Sequence, residues 1–291
     1  MTTLRTVHEN GVDIRLVGDR WRITSGPPDL SFPSLLAARA AVAPLRPILL
    51  FSGPAGERDR SSLMRPNDFG FFNWTALEET GHDVRTVRHI YQLEYLLDAI
   101  QYHCTNLARL YASITAEFCE GTYPPGFGSN GVAILAHRTE PYFEFDALIG
   151  CAKRTYESLR YLIWYHFGGP GSVPRSLEAT LSAQQRVPES LRERLSASWR
   201  QFGAPLTAYR DCIHHYVTVD FGMASALMRR LPIGAWGVTM RIPDNPEVRS
   251  QKRFTFQLDR DALTYGWEVA FEVLDVAAAV CRAPQRSGAG P

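Results

Sequence analysis

Arg210, Asp211, His214 and His215 crowd into the run Leu206-Thr207-Ala208-Tyr209-Arg210-Asp211-Cys212-Ile213-His214-His215-Tyr216. Arginine stays charged at physiological pH, and its planar fork matches a phosphate. Histidine titrates near neutrality and gives or takes a proton there. Metal-independent RNA cleavage needs little more. A base activates the ribose 2′-hydroxyl, an acid protonates the leaving 5′-oxygen, and a cation steadies the phosphate in the transition state. One histidine cannot serve as base and acid in a single in-line step. The second proton carrier is therefore the neighbouring histidine or a histidine of another subunit.

On a regular helix Arg210 and His214 share one face, and Asp211 and His215 share the next. Both pairs flank an apolar seam at Tyr209 and Ile213, where a groove or a dimer contact would form. Asp211 is expected to orient His215 and raise its basicity. Arg210 is expected to serve a phosphate while packing against Tyr209. Such pairs also decorate exposed helices, and adjacent histidines near a helix end favour the negative end of its dipole. Residue types and spacing leave both readings open.

The elements that must hold this run are helical. Pro188 opens a third main helix, with Leu195, Trp199, Phe202, Leu206, Tyr209, Ile213 and Tyr216 alternating steps of four and three. Gly203 and Pro205 interrupt it and predict a kink near 201–205. A first long helix is expected from Asp83 to about Phe118, and a second from Pro141 to Phe167, stopped by Gly168-Gly169-Pro170-Gly171. A shorter helix follows Pro174. Asp259 or Asp261 can cap a last helix through Ala283. Residues 236–258 read as a β-hairpin turning at PDNP. The expected fold class is mainly α: an antiparallel bundle over residues 83–283 with an inserted β-hairpin.

Residues 1–50 read as a small separate unit. A hairpin over 12–24 turns at Gly18-Asp19, and a short helix capped by Ser31 or Ser34 ends before Pro44. Residues 51–82 have linker composition, although Phe69, Phe71, Phe72 and Trp74 are apolar enough to lie against a neighbouring domain. The tail 284–291 is expected to be disordered.

The run Arg210-Asp211-Cys212-Ile213-His214-His215 resembles the arginine–polar–three residues–histidine motif of HEPN domains, which are short all-helical bundles. Arg210 matches the first position, Asp211 the polar position and His215 the histidine. Asparagine is the commoner polar residue, so Asp211 departs from the pattern. The helix before it, FEFDALIGCAKRTYESLRYLIW, resembles the HEPN helix that precedes the motif helix. The resemblance covers about residues 83–283; the hairpin at 236–258 is extra to the minimal bundle. It implies a metal-independent endoribonuclease with no cofactor, in which two protomers face each other and pool their arginines and histidines. A homodimer, an RNA substrate and a role in toxin–antitoxin or phage-defence systems, with a protein antitoxin or defence partner, are implied with it. Other HEPN-like proteins have lost catalysis and act as binding or scaffolding modules. His215 is the motif histidine; His214, the better helical partner of Arg210, is the alternative.

Other chemistries find less support. Net charge is +1 over 291 residues, so nothing pulls the whole chain toward nucleic acid. Basic residues cluster locally at Arg192, Arg194 and Arg200, at Arg229-Arg230, and at Arg249, Lys252 and Arg253, as solvated faces also do. Cys212, His214 and His215, like His103-Cys104, lack a zinc spacing, so no metal is expected. No phosphate-loop, dinucleotide or serine-hydrolase motif occurs. Glu94 and Glu144 are carboxylates that could project toward the Arg/His cluster. Tyr156, Tyr161, Trp164 and Tyr165 could stack on bases but are more often core. The Cys count of 5, at wide spacings without CxxC, fits reduced thiols. With no apolar signal region and no long apolar run, a cytoplasmic protein without a membrane segment is expected.

Overall fold

The computed structural model describes strands at 6–9, 12–17, 20–23 and 31–32, and residues 84–120, 132–230 and 236–283. The N-terminal strands β1 (Thr6–Glu9), β2 (Val12–Val17), β3 (Arg20–Ile23) and β4 (Ser31–Phe32) form an antiparallel sheet in chain order. The expected hairpin is its middle pair, with Ile14 opposite Ile23 and Val17 opposite Arg20. Ser31 lies in β4, paired with Arg22, so it is not a helix cap. The rest of the expected helix, the linker 51–82 and the tail 284–291 lie outside the described residues.

The main body is a helical bundle with a small antiparallel sheet against it. Its helices are α1 (Val84–Cys119), α2 (Glu140–His166), α3 (Leu177–Ala183), α4 (Glu189–Ser198), α5 (Ala204–His215) and α6 (Ala262–Arg282). Among the described residues, no helix is long and apolar enough to cross a membrane.

Local chemistry explains the helix ends. At the end of α2, Gly168 adopts φ +70, its N–H reaches the Tyr165 carbonyl, and the Gly169 N–H reaches the Trp164 carbonyl at 2.7 Å. That is a Schellman stop, which favours glycine at the left-handed position. Ser176 caps α3 by accepting from the Ala179 N–H. Asp261 caps α6 from a buried position. It accepts from the Thr264 N–H at 2.9 Å, the Tyr111 hydroxyl at 2.8 Å and the Met240 N–H at 2.9 Å. One carboxylate thus ties α1, α6 and the approach to α6 together.

The expected kink is a π-helical turn. Trp199–Gly203 joins α4 to α5, and the Ala204 N–H reaches back to the Trp199 carbonyl. Pro205 has no N–H to give to the carbonyl four residues earlier, and its ring would crowd that carbonyl, so the backbone widens. Gly203 is required sterically: a Cβ there would lie 2.2 Å from a carbon of the Trp199 ring.

The inserted hairpin exists but in another place. It is formed by β6 (Ala226–Arg230) and β7 (Trp236–Thr239), with β5 (Val132–Leu135) on the other edge of β6. Residues 246–248 and 251–253 are short 3-10 turns rather than a hairpin arm. Two prolines, Pro243 and Pro246, cannot donate to a ladder there. The Asp244 carboxylate instead accepts from the Gln257 and Leu258 N–H groups and closes the loop. The segment 240–242 pairs with 260–262: the Ile242 N–H donates to Arg260 and the Ala262 N–H to Met240.

The core that positions the Arg/His run lies between α2, α5 and α6. Phe145 and Tyr209 are fully buried, with ring centroids 6.0 Å apart at 86°. Tyr265 closes the group, 5.3 Å from Tyr209 and 6.4 Å from Phe145. Edge-to-face and tilted pairs of this kind add ~0.5–1.5 kcal/mol each beyond area burial. The Tyr209 hydroxyl donates to the Pro243 carbonyl, fixing the 240–246 segment against α5.

Candidate functional site

With Tyr209 fixed in the core, the flanking residues of α5 must turn outward on either side. Arg210 and Asp211 are partly exposed, and His214 and His215 are exposed. Helix α5 ends just beyond them: the Tyr216 and Val217 N–H groups both donate to the Cys212 carbonyl, each at 3.0 Å. The two histidines therefore occupy the last turn, at the negative end of the helix dipole, which favours a protonated imidazole.

The pairings differ from those expected. Arg210 donates to the Asp211 carboxylate at 2.9 Å, with the side chains 37% and 29% exposed. Asp211 is thereby engaged by its neighbour and makes no hydrogen bond or ion pair with His215. Adjacent helical residues point about a quarter-turn apart, so only the long arginine stem lets this pair meet. His215 makes an edge-on ring contact with Tyr216, centroids 6.3 Å apart.

His214 has a carboxylate partner that the sequence reading did not name. Its Nε2 lies 3.6 Å from Oδ1 of Asp146 on α2, with side chains 46% and 39% exposed. That Oδ1 is itself buried and accepts no hydrogen bond. Burial pushes the Asp146 carboxyl above its ordinary range, and the facing imidazole draws it back down. A carboxylate on Nε2 holds the imidazole in one orientation and favours the proton on that nitrogen. Nδ1 is then the nitrogen left to exchange a proton with a ligand.

The expected carboxylates go elsewhere. Glu144 bonds His103 on α1, Oε2 to Nδ1 at 2.7 Å. Glu94 is partly buried on α1 and raised by burial and by Asp98. A signal for Asp146 was present in the sequence: it directly follows Phe145, the core position of α2 that packs on Tyr209. The residue one step round from a core contact borders the neighbouring helix.

Beyond His215, Tyr216 is 53% exposed and carries Arg249. The Arg249 guanidinium lies 4.7 Å over the ring centroid, and its Nη1 donates to the tyrosine hydroxyl at 2.8 Å. Cys212 is buried, its thiol raised by burial and eased by the Val217 carbonyl contact and by Arg249. Among the described residues, no three His, Cys, Asp or Glu side chains are grouped so that they could hold a metal ion.

The comparisons with known proteins return nothing. No family model, no curated protein and no solved structure matches the chain. The case for a function therefore rests on the geometry at the end of α5.

That geometry collects three kinds of group at one end of the bundle. They are an imidazole braced by a carboxylate from another helix, a second imidazole without such a brace, and arginines at Arg210 and Arg249. Of the aromatics weighed as base platforms, Tyr156 and Trp164 are buried. Tyr161 and Tyr165 stack on His89, with centroids 4.7 Å and 5.8 Å away, far along α2 from His214.

Proposed function

We propose that the chain is a metal-independent endoribonuclease of the HEPN-like kind, acting through the end of α5. The observation that carries this reading is the Asp146–His214 pair, set one helical turn from Arg210 and beside a solvent-exposed His215. A mainly helical bundle with a small antiparallel insert is compatible with the HEPN resemblance without being diagnostic of it. In the reaction, one imidazole takes the proton of a ribose 2′-hydroxyl and the 2′-oxygen attacks the adjacent phosphorus. The bond to the 5′-oxygen breaks, and that oxygen leaves with a proton from the second imidazole. The products are a 2′,3′-cyclic phosphate and a 5′-hydroxyl, with atoms and protons balanced and no oxidant or metal required.

His214 is assigned as the base, because Asp146 orients it and stabilises the imidazolium that forms. Arg210 is the phosphate clamp. Its pair with Asp211 is a surface pair worth ~0–1 kcal/mol, so a phosphate can displace the carboxylate at little cost. The proton donor is His215, either of the same chain or of a second copy facing it. In the second case a homodimer is required for activity. A toxin–antitoxin or phage-defence setting, with a protein partner that restrains the enzyme, is the biological role that accompanies this activity.

The test is cleavage of a fluorescent single-stranded RNA in excess chelator, comparing the unaltered protein with Arg210→Ala, His214→Ala and His215→Ala. Loss in all three with unchanged thermal melts supports the reading. No cleavage of any RNA by the unaltered protein, as a monomer or at high concentration, overturns it. A second reading, a catalytically silent interaction module, is favoured by one observation: Tyr95, Tyr102 and Phe143 are 67%, 62% and 67% exposed on α1 and α2.

A further inference from the structure

The sequence offers several clusters of basic residues, and the structure neutralises most of them. Arg194 is held by Glu272 and Asp275 on α6. Arg229 makes a two-pronged pair with Asp259, which also holds Arg241. Arg192 lies 3.7 Å from Glu189 and donates to the Gln184 and Val187 carbonyls. These arginines are structural, and their charge is compensated in place.

The cluster at Arg249, Lys252 and Arg253 is different. All three are exposed, and among the described residues none has a carboxylate within 4.0 Å. Uncompensated cations on adjoining 3-10 turns repel one another unless a polyanion spreads over them.

The segment is also built rather than loose. Gln251 donates to the Thr218 hydroxyl at 2.8 Å, with the Thr218 carbonyl at 3.3 Å and the Asp220 carboxylate at 3.4 Å, which staples these turns to the chain leaving α5. Arg249 ends its 3-10 turn at φ 53 and ψ 32, a left-handed position where glycine or asparagine would be unstrained. An arginine there gives up backbone stability for the placement of its side chain. The side chain lies across Tyr216, which keeps 53% of its surface exposed and adjoins His215.

We propose that Tyr216, Arg249, Lys252 and Arg253 form the platform that binds single-stranded RNA and leads it to the histidines of α5. A base stacks on the Tyr216–Arg249 unit, and phosphates of the same strand run over Lys252 and Arg253. Stacking on an aromatic with a guanidinium beside it is sequence-tolerant, because every base has a π-face. It requires unpaired bases, so a duplex of the same sequence binds less well. The choice of RNA over other polyanions rests on the ribonuclease reading; the platform itself is read through binding alone.

The test uses fluorescence anisotropy with a labelled 2′-O-methyl oligouridylate, which lacks the free 2′-hydroxyl and cannot be cut by 2′-attack. The unaltered protein binds it. Arg249→Gln and Tyr216→Leu each weaken binding about tenfold. Lys252→Gln and Arg253→Gln, both on exposed side chains, each reduce the slope of log affinity against log salt by about 0.7. Affinity and slope unchanged in all four variants would overturn the platform, as would an unaltered protein that does not bind, or binds the duplex equally well. Intact binding without cleavage of ordinary RNA would remove the ribonuclease reading and leave the platform standing.

Discussion

His214 on α5 presents Nε2 to Asp146 Oδ1 on α2 at 3.6 Å, across the helix contact that Phe145 and Tyr209 hold in register. The brace is set by packing. Any change that rotates α5 about the Tyr209 anchor moves the imidazole off the carboxylate.

The turn that sets this rotation is the π-helical step at Trp199–Gly203. Gly203→Ala would drive a Cβ into the Trp199 ring, 2.2 Å from its nearest carbon. The expected loss is ~1–3 kcal/mol of stability, as for overpacking of a filled core. A thermal melt reads it. Catalysis should fall by more than the fraction unfolded explains, because the whole α5 end shifts.

Asp261→Ala should be among the most damaging single changes in the bundle. It removes a helix cap and leaves the buried Tyr111 hydroxyl and Met240 N–H without their acceptor. Losses of ~3–5 kcal/mol are expected from the cap and the unsatisfied donors together. Urea unfolding measures it, and Asp261→Asn should recover part of the loss.

Arg194 and Arg253 should separate structure from binding. Arg194→Ala loses the Glu272 and Asp275 pairs and should cost ~1–2 kcal/mol, with RNA affinity unchanged. Arg253→Gln should leave the melt unchanged and lower the salt dependence of RNA binding. The reverse pattern would mean that the structural and binding arginines are wrongly sorted.

Asp146 makes a signed prediction with pH. Its carboxyl is raised by burial, so the folded state holds the proton more tightly than the unfolded chain. The stabilising contribution is present below the ordinary carboxylate range. It is lost as pH rises through the raised folded value. Asp146→Asn does not titrate, so its stability relative to the unaltered protein should rise between about pH 4 and pH 7. Paired denaturant melts at the two pH values check the sign.

Much of this fold was legible in the sequence, and the reason lies in particular residues. Sustained helical spacing, Pro141, the Gly168-Gly169 stop and the Gly203/Pro205 interruption are local signals, and the structure places α1, α2, the α2 stop and the π-helical turn where they point. Strand β5 was missed because it is short and pairs with β6, far along the chain; a nonlocal ladder leaves no local mark. The hairpin was displaced because alternation in 254–258 imitates a strand, while Pro243, Pro246 and the Asp244 carboxylate dictate a loop.

The Arg/His run was legible as chemistry but not as pairing. Helical spacing joined Asp211 to His215, and the long Arg210 stem took Asp211 instead. The brace on His214 comes from another helix and could be known only from how α2 and α5 pack. Arg249 looked like one more surface cation until its backbone conformation and its place over Tyr216 set it apart.

The central claim is that His214, braced by Asp146, is the working base. The most direct test is the rate of RNA cleavage in chelator for His214→Ala and Asp146→Asn, at RNA concentrations that saturate binding. The account predicts a loss of ~10²–10⁴-fold for His214→Ala, the range of a missing general base. It predicts a smaller loss for Asp146→Asn, with RNA affinity unchanged in both. Cleavage by the His214→Ala protein at the unaltered rate would contradict it.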